Sequence, residues 1–417
     1  MGRFFLARIF SLWWLWWQRK ITETGNEFMG KFTLHSACIS RLVDNACILW
    51  LGAFGCLVIF TSISAAAELN NKQDVFFGGF AFCGKASDVD KNFPITASLN
   101  KPTDDGTPYL GRAARDFFTK NKDHFSQMNL QFGVARREDT SLVLALALTD
   151  EKVLREEFSD FHKLVIQLGF ELLILNFKDR EVVCSQPIYL EFIDAGKESF
   201  DEPALRERIK KMIEGDNSQL FTAVLEKADR IQPRSKNQCT LQIRQVTIGE
   251  KAMPFLPDTL RQSPNAYAQT VAQQFGSLLS SRAGVALLPY AKDGLNTKMA
   301  LVFSDASAVQ FKIPAATFAV DVDVKGFKKV LNKTTDAEAL WIYGAFLGIR
   351  VYEPEFNSVY FDAPVKYGVS KVVPSTQKAV DEFPVVSEAL KGAFVSAIDQ
   401  MQKDKKTNEK VLKKCAL

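Results

Sequence analysis

The stretch GFELLILNFKDREVVCSQPI, residues 169–188, decides the fold that this sequence predicts. Two runs rich in β-branched, aromatic and leucine residues flank a polar tripeptide, Lys178-Asp179-Arg180, which has the length and polarity of a hairpin turn. The runs extend outward to cover 163–177 and 181–193. We therefore expect an antiparallel hairpin here.

A second stretch, FLGIRVYEPEFNSVYFDAPV at 346–365, aligns with the first without a gap. In this alignment Pro187 meets Pro364 and Ile174 meets Val351. An acid-flanked proline and an amphipathic helix follow each hairpin at a similar distance. Duplication of one unit and independent use of the same hairpin pattern both explain the likeness, and both remain open at this point.

The periodicity around the hairpins predicts an α+β fold with two lobes, each a mostly antiparallel sheet with flanking helices. The polar segment QPRSKNQ at 232–238 is the predicted linker. A short helix, EKVLREEF, is expected after Asp150. We expect four regions: an N-terminal extension with a signal peptide (1–67), a first lobe (68–231), a second lobe (239–402) and a charged mobile tail (403–417).

The segment ACILWLGAFGCLVIFTSISAAA at 46–67 contains no charge, follows a basic region and ends in small residues. These are the three parts of a secretory signal peptide, and the basic residues before it place the rest of the chain outside the cytoplasm. Cleavage after Ala67 is expected, which makes the protein periplasmic or secreted. The alternatives are an uncleaved anchoring helix that leaves the protein facing outward, and a lipoprotein attached at Cys56. Whether translation starts at Met1 or Met29 stays open.

Composition excludes some partners. The chain has 52 Lys and Arg against 48 Asp and Glu, and most of the excess precedes residue 68. Without a concentrated basic excess, we expect no nucleic-acid partner. Four cysteines follow residue 67, and three full pairings of them are possible. None is spaced as CxxC, and no metal or cofactor is expected; the four are Cys83, Cys184, Cys239 and Cys415. The apolar run around Cys184 predicts a buried thiol outside any disulfide.

The sequence contains no complete catalytic motif of the GxSxG, HExxH, Walker or GxGxxG type. Asp321 and Asp323 alternate with valines, so both point to one face of a strand, which we interpret as solvated. His162 lies at an expected helix–strand junction and is interpreted as a surface or structural residue. Ser98 begins the fragment SLNK, which matches an SxxK motif by coincidence.

Two hypotheses about function follow. The first is an exported, non-catalytic protein with a binding or assembly role, whose partner is another envelope protein. It would contact the membrane only through an uncleaved N-terminal segment. The alternative is an exported hydrolase with a carboxylate-based site, for which Asp321, Asp323, His162 and Ser98 are the residues to test. No catalytic residue is assigned.

The signal-peptide hypothesis predicts the N-terminus of the mature protein. Cleavage after Ala67 leaves Glu68 as the first residue, because the short side chains at 64–67 fit the cleavage site. N-terminal sequencing of the protein isolated from its source organism measures this directly. A terminus at Met1 or Met29 would contradict cleavage.

Overall fold

The structure is a computed structural model that describes residues 72–104, 106–132, 142–158, 161–233, 238–290, 298–377 and 380–416. The predicted signal peptide lies outside the described residues, as does 234–237 of the predicted linker. Residues from Lys72 onward form one compact unit. Within the described ranges, no helix is both long and apolar enough to cross a membrane.

The first half of this unit, called here the first repeat, combines strands and α-helices. The strands are β1 (Gln73–Cys83), β2 (Met128–Gln131), β3 (Leu142–Phe158), β4 (Phe161–Asn176) and β5 (Glu181–Gly196). The helices are α1 (Val89–Asn92), α2 (Pro94–Leu99), α3 (Tyr109–Lys120), α4 (Glu202–Ile213) and α5 (Gln219–Ala228).

The second half, called the second repeat, contains the elements that follow. Its strands are β6 (Leu241–Lys251), β7 (Leu287–Leu288), β8 (Lys298–Phe303), β9 (Ala308–Lys312), β10 (Phe318–Thr334), β11 (Glu338–Glu353) and β12 (Ser358–Pro374). Its helices are α6 (Asp258–Gln262), α7 (Pro264–Ala283), α8 (Phe383–Lys403), α9 (Lys405–Thr407) and α10 (Lys413–Cys415).

The two repeats share a strand topology. In the first, β1 runs parallel to β3, and β3, β4 and β5 form an antiparallel meander. In the second, β6 runs parallel to β10, and β10, β11 and β12 form the same meander. β4 and β11 each have 16 residues. The internal repeat is therefore present in the topology, and β7, β8 and β9 are additions to it.

Irregular positions of the hairpins also correspond. The pairing of β4 with β5 shifts register after Ile174, and that of β11 with β12 shifts after Val351. The last turn residues, Arg180 and Asn357, both have a positive φ, of 53° and 50°. A residue other than glycine adopts this conformation rarely. The agreement of these details favours duplication over independent use of a hairpin pattern.

All strands of the described residues belong to one sheet, in the order β12-β11-β10-β6-β7-β5-β4-β3-β1-β8-β9, with β2 beside β1. The α+β class and the mostly antiparallel sheet are confirmed. The halves are not separate domains joined by a linker, because Leu287 of β7 pairs with both Ser185 of β5 and Leu241 of β6. β9 also pairs with β5, which closes the strands β5-β4-β3-β1-β8-β9 into a ring.

Each repeat's own helices cover one face of its meander, called here the inner face. In the first repeat, Phe118 of α3 and Leu205 of α4 pack in one apolar core with inner-face residues such as Phe170. In the second, α7 and α8 pack in another core with inner-face residues such as Leu347 and Ile349. The opposite face of each meander is called its outer face.

Helix α7 contacts both repeats. It follows β6 and packs on the inner face of the second repeat, yet its other side lies against the outer face of the first. Gly276 approaches both repeats closely, because a Cβ atom there would lie 3.2 Å from Ile243 Cδ1 and 3.2 Å from Pro187 Cγ. The sheet therefore curls around α7, which fills the space between the two meanders.

Two local predictions were wrong. The segment after Asp150 continues β3 to Phe158 and is not a helix, since its residues pair with β4 as far as Phe161. Helix-favouring side chains are overridden by this pairing. The segment from 403 is not a mobile tail, because Val411 and Leu412 are buried in a π-helical turn.

A disulfide between Cys239 and Cys415 fixes the end of the chain to the start of β6. The backbone N–H of Ala286 also donates to the carbonyl oxygen of Cys415 over 3.0 Å. The four cysteines therefore form one disulfide, and none of the three full pairings is present. Cys184 is a buried thiol outside the disulfide, as predicted, and Cys83 also remains a thiol.

Candidate functional site

Asp321 and Asp323 lie on the outer face of β10, half-buried, and have different partners. The Tyr352 hydroxyl lies 3.4 Å from Asp321, and the Thr247 hydroxyl donates to Asp323 over 2.7 Å. Burial raises the pKa of Asp321, an effect that Tyr352 and nearby arginines oppose. The positions of the first repeat that are equivalent to Asp321 and Asp323 lie in an apolar core, inside the ring of strands that β8 and β9 complete. The described strands of the second repeat form no such ring, and the two aspartates there are half-buried, not enclosed.

The other candidate residues lie apart. Ser98 is on α2, where its hydroxyl donates to the Ile95 carbonyl oxygen over 2.7 Å. His162 is on β4, with Nδ1 3.8 Å from Glu157 Oε1 at the surface. None of them lines the groove described below. Among the described residues, no cluster of three or more His, Cys, Asp or Glu side chains could hold a metal ion.

A buried acid, Glu171 of β4, was missed by sequence reasoning. The Ser185 hydroxyl donates to its carboxyl group, and burial raises its pKa to about 8, with Lys227 opposing the shift. Burial, and then Glu171 itself, raises the pKa of the nearby Cys83 thiol to about 12. A protonated thiol is a poor nucleophile, and Glu171 and Ser185 are enclosed. An acid within the run FELLIL was the available signal.

Polar side chains join α7 to the outer face of the first repeat. Lys152 Nζ donates to Thr270 Oγ1 over 2.7 Å and also pairs with Asp150. Gln273 Nε2 donates to Thr149 Oγ1 over 2.6 Å. The side of α7 that faces the first repeat therefore contacts it through uncharged amides and hydroxyls. Gln273 Oε1 is buried there without a hydrogen-bond partner among the described residues.

The equivalent outer face of the second repeat is not covered by any helix of the described residues. When the registers of the two meanders are compared, Phe346 of the second repeat is equivalent to Gly169 of the first. In the same way, Lys328 is equivalent to Lys152, and Val330 is equivalent to Leu154. The residues exposed there include three apolar side chains: Phe346, Val330 and Val372 are 39%, 44% and 50% exposed.

A groove of about 960 Å³ lies beside Phe346 on this face. It is lined by Glu250, Lys251, Pro254, Lys325, Gly326, Phe327, Lys328 and Phe346. Lys366 of β12 is opposite Phe346 in register. In the part of the chain that the structure describes, Lys251, Lys325, Lys328 and Lys366 have no carboxylate at ion-pairing distance. The groove thus combines exposed apolar groups with lysines that have no carboxylate partner among the described residues, and it also contains Glu250.

Comparisons with known proteins find only weak similarity, and only among solved structures. No protein-family model and no curated protein matches the sequence. A homolog of a neuraminyllactose-binding hemagglutinin from Helicobacter pylori is 13% identical over 44% of this chain and 98% of its own, with a TM-score of 0.28. A Xanthomonas campestris protein of family DUF330 is 10% identical; the match covers 40% of this chain and 86% of that protein, with a TM-score of 0.22. A minor lipoprotein from Acinetobacter baumannii is 8% identical; the match covers 40% of this chain and 93% of the lipoprotein, with a TM-score of 0.20.

Glu171→Gln should flatten the pH dependence of stability. The folded protein keeps a proton on Glu171 that the unfolded chain releases above the ordinary pKa of 4.5. The stability due to the neutral carboxyl group is therefore complete below that pH and is lost as the pH rises toward about 8. Between these two pH values, we expect Glu171 to lower the free energy of unfolding of the wild type by on the order of 1.4 kcal/mol per pH unit.

Urea unfolding at a series of pH values between about 5 and 8 measures this slope. The amide introduced by Glu171→Gln keeps an acceptor for the Ser185 hydroxyl but cannot ionise. Glu157→Gln is the matched control, because the Glu157 side chain is 84% exposed and should leave the slope unchanged. An undiminished slope in Glu171→Gln would contradict the assignment.

Proposed function

We propose that this protein is exported and acts as a non-catalytic binding protein of the cell envelope. Its binding surface is the outer face of the second repeat, and its partner is another envelope protein. The observation that carries the proposal is the exposure of Phe346, Val330 and Val372 on a sheet face that no helix of the described ranges covers. A sheet face that exposes large apolar side chains beside charged ones is a candidate protein interaction site.

The disulfide supports export. Disulfides form and persist in oxidising compartments and are rare in the cytosol. Cys239 and Cys415 form one, and it fixes the C-terminal segment to the sheet. The signal-like segment at 46–67 points to the same side of the membrane.

The positions of the acidic groups favour binding over hydrolysis. A general acid–base pair needs two groups within reach of one substrate. Glu171 is enclosed within the first repeat, whereas Asp321 and Asp323 lie on a strand face of the second and have hydrogen-bond partners of their own. The hydrolase alternative therefore has less support than a binding role.

Phe346→Asp should abolish partner binding without affecting folding. A buried carboxylate at the centre of an apolar contact costs several kcal/mol, whereas the free protein exposes this position. The measurement is quantitative mass spectrometry of envelope proteins co-isolated with the tagged full chain from its source organism. We expect at least one to be enriched with the wild type and lost with Phe346→Asp, while the thermal unfolding midpoint stays the same.

Two controls accompany this experiment. Phe356→Asp alters an aromatic residue that is 68% exposed in the β11–β12 turn, outside the binding face, and should retain the partner. The double variant Asp321→Ala, Asp323→Ala lies on the same outer face but outside the groove beside Phe346, and it tests the hydrolase alternative. Retention of every co-isolated protein by Phe346→Asp would refute the proposed surface. Loss of the cellular function in the double aspartate variant, with partner binding intact, would favour the hydrolase.

A further inference from the structure

We infer that the outer face of the second repeat binds an α-helix of the partner protein that carries carboxylates, in the position that α7 occupies on the first repeat. This inference rests on the proposed binding function and specifies the structure and charge of the partner segment. It follows from the duplication, because the same strand meander has its outer face covered in one repeat and, within the described residues, uncovered in the other.

The path of α7 across the first repeat defines the expected geometry. Thr270 contacts Lys152 of β3. Gln273 contacts Thr149 of β3 and lies against Gly169 of β4, and Gly276 lies against Pro187 of β5. The helix thus crosses three strands diagonally, with contact residues three positions apart, as expected for one side of an α-helix. The equivalent path on the second repeat runs from Lys328 past Phe346 to Pro364.

Differences between the repeats indicate what the partner helix must carry. In the first repeat Lys152 pairs with Asp150, but the residue equivalent to Asp150 is Gly326, so Lys328 lacks that partner. Lys325, Lys251 and Lys366 are likewise without carboxylate partners among the described residues. Opposite charge across an interface provides orientation and specificity. The partner helix therefore supplies the carboxylates.

The residue equivalent to Phe346 sets a second requirement. A Cβ atom on Gly169 would lie 3.0 Å from Gln273 Cδ, so a larger residue there would crowd the side chain of Gln273 on α7. Phe346 projects from the same position of the second repeat. A helix seated there must present small or apolar residues, which bury the ring and leave no polar group unpaired.

A second copy of this chain fits the face less well. The helices exposed on the first repeat carry charges that are already paired along α4, for example Glu202 with Arg206 and Glu207 with Lys211. The edge of β12 is a weak site for strand addition, because Pro364 lacks an N–H and lysines lie along it. We therefore assign the face to a helix of a different protein.

Site-specific photocrosslinking in the source organism tests this inference. The photoreactive residue p-benzoylphenylalanine is placed at Lys328, Phe346 or Pro364 of the full chain, and crosslinked peptides are mapped by mass spectrometry. We expect the three positions to crosslink to one segment of a different protein, in that order, at residues about three apart as along one side of an α-helix. That segment should contain Asp or Glu, and Lys325→Glu with Lys328→Glu should remove most of the Phe346 crosslink.

The control places the same photoreactive residue at Thr222, which is exposed on α5. Absence of any crosslink that distinguishes the three face positions from Thr222 would refute the proposed binding surface itself. Crosslinks at alternate residues of the partner segment would indicate a bound strand, and crosslinks to this chain would indicate a second copy. Either result would support the binding surface but overturn the assignment to a helix of a different protein. An undiminished crosslink in the double lysine variant would overturn the charge assignment.

Discussion

Helix α7 must fit between two sheet faces at once, and the arrangement of the molecule depends on this fit. Gly276 lets Ile243 of the second repeat and Pro187 of the first approach the same helix backbone. Close approach of this kind favours glycine, because a side chain there would displace its neighbours in a closely packed interior. The short strand β7 then joins the two meanders into one sheet around the helix. A single helix thus takes part in both halves of the fold.

This arrangement explains why the two outer faces differ in chemistry. In the first repeat, α7 and the ring formed with β8 and β9 enclose the face, and even its charged groups are paired or neutralised. Lys152 is paired, and the pKa of Glu171 is raised, as expected where charges cannot be hydrated. In the second repeat the same face holds half-buried aspartates, Phe346, and lysines without carboxylate partners among the described residues. The charge differences therefore follow from which face is covered.

The sequence predicted the local parts of this structure well. Both hairpins, their turns and most helices follow from residue periodicity, and the gapless alignment at Pro187 and Pro364 matches the register of the strands. The helix predicted after Asp150 was wrong because pairing with β4 overrides local propensity. The fixed C-terminal segment was also missed, since its disulfide joins residues 176 positions apart.

The candidate site could not be predicted for a related reason. Lys152 and Lys328 look alike in the sequence, each lying in the charged second half of a long strand. Only the packing of α7 makes one of them a buried, paired group and leaves the other exposed. Asp321 and Asp323 share one strand face, as their alternation with valines predicted, and are half-buried there, whereas Phe346 was placed in the hairpin with no indication that it is exposed. Which face of a duplicated sheet is covered depends on contacts between distant segments.

Lysine acetylation of the folded protein tests most directly that one outer face is covered and its equivalent is not. The reaction is followed by mass spectrometry of the full chain isolated under native conditions. The account predicts that Lys325, Lys328 and Lys366 are acetylated early, whereas Lys152 and Lys163, with side chains 10% and 3% exposed, react only when the protein opens. Equal protection of Lys328 and Lys152 would contradict it.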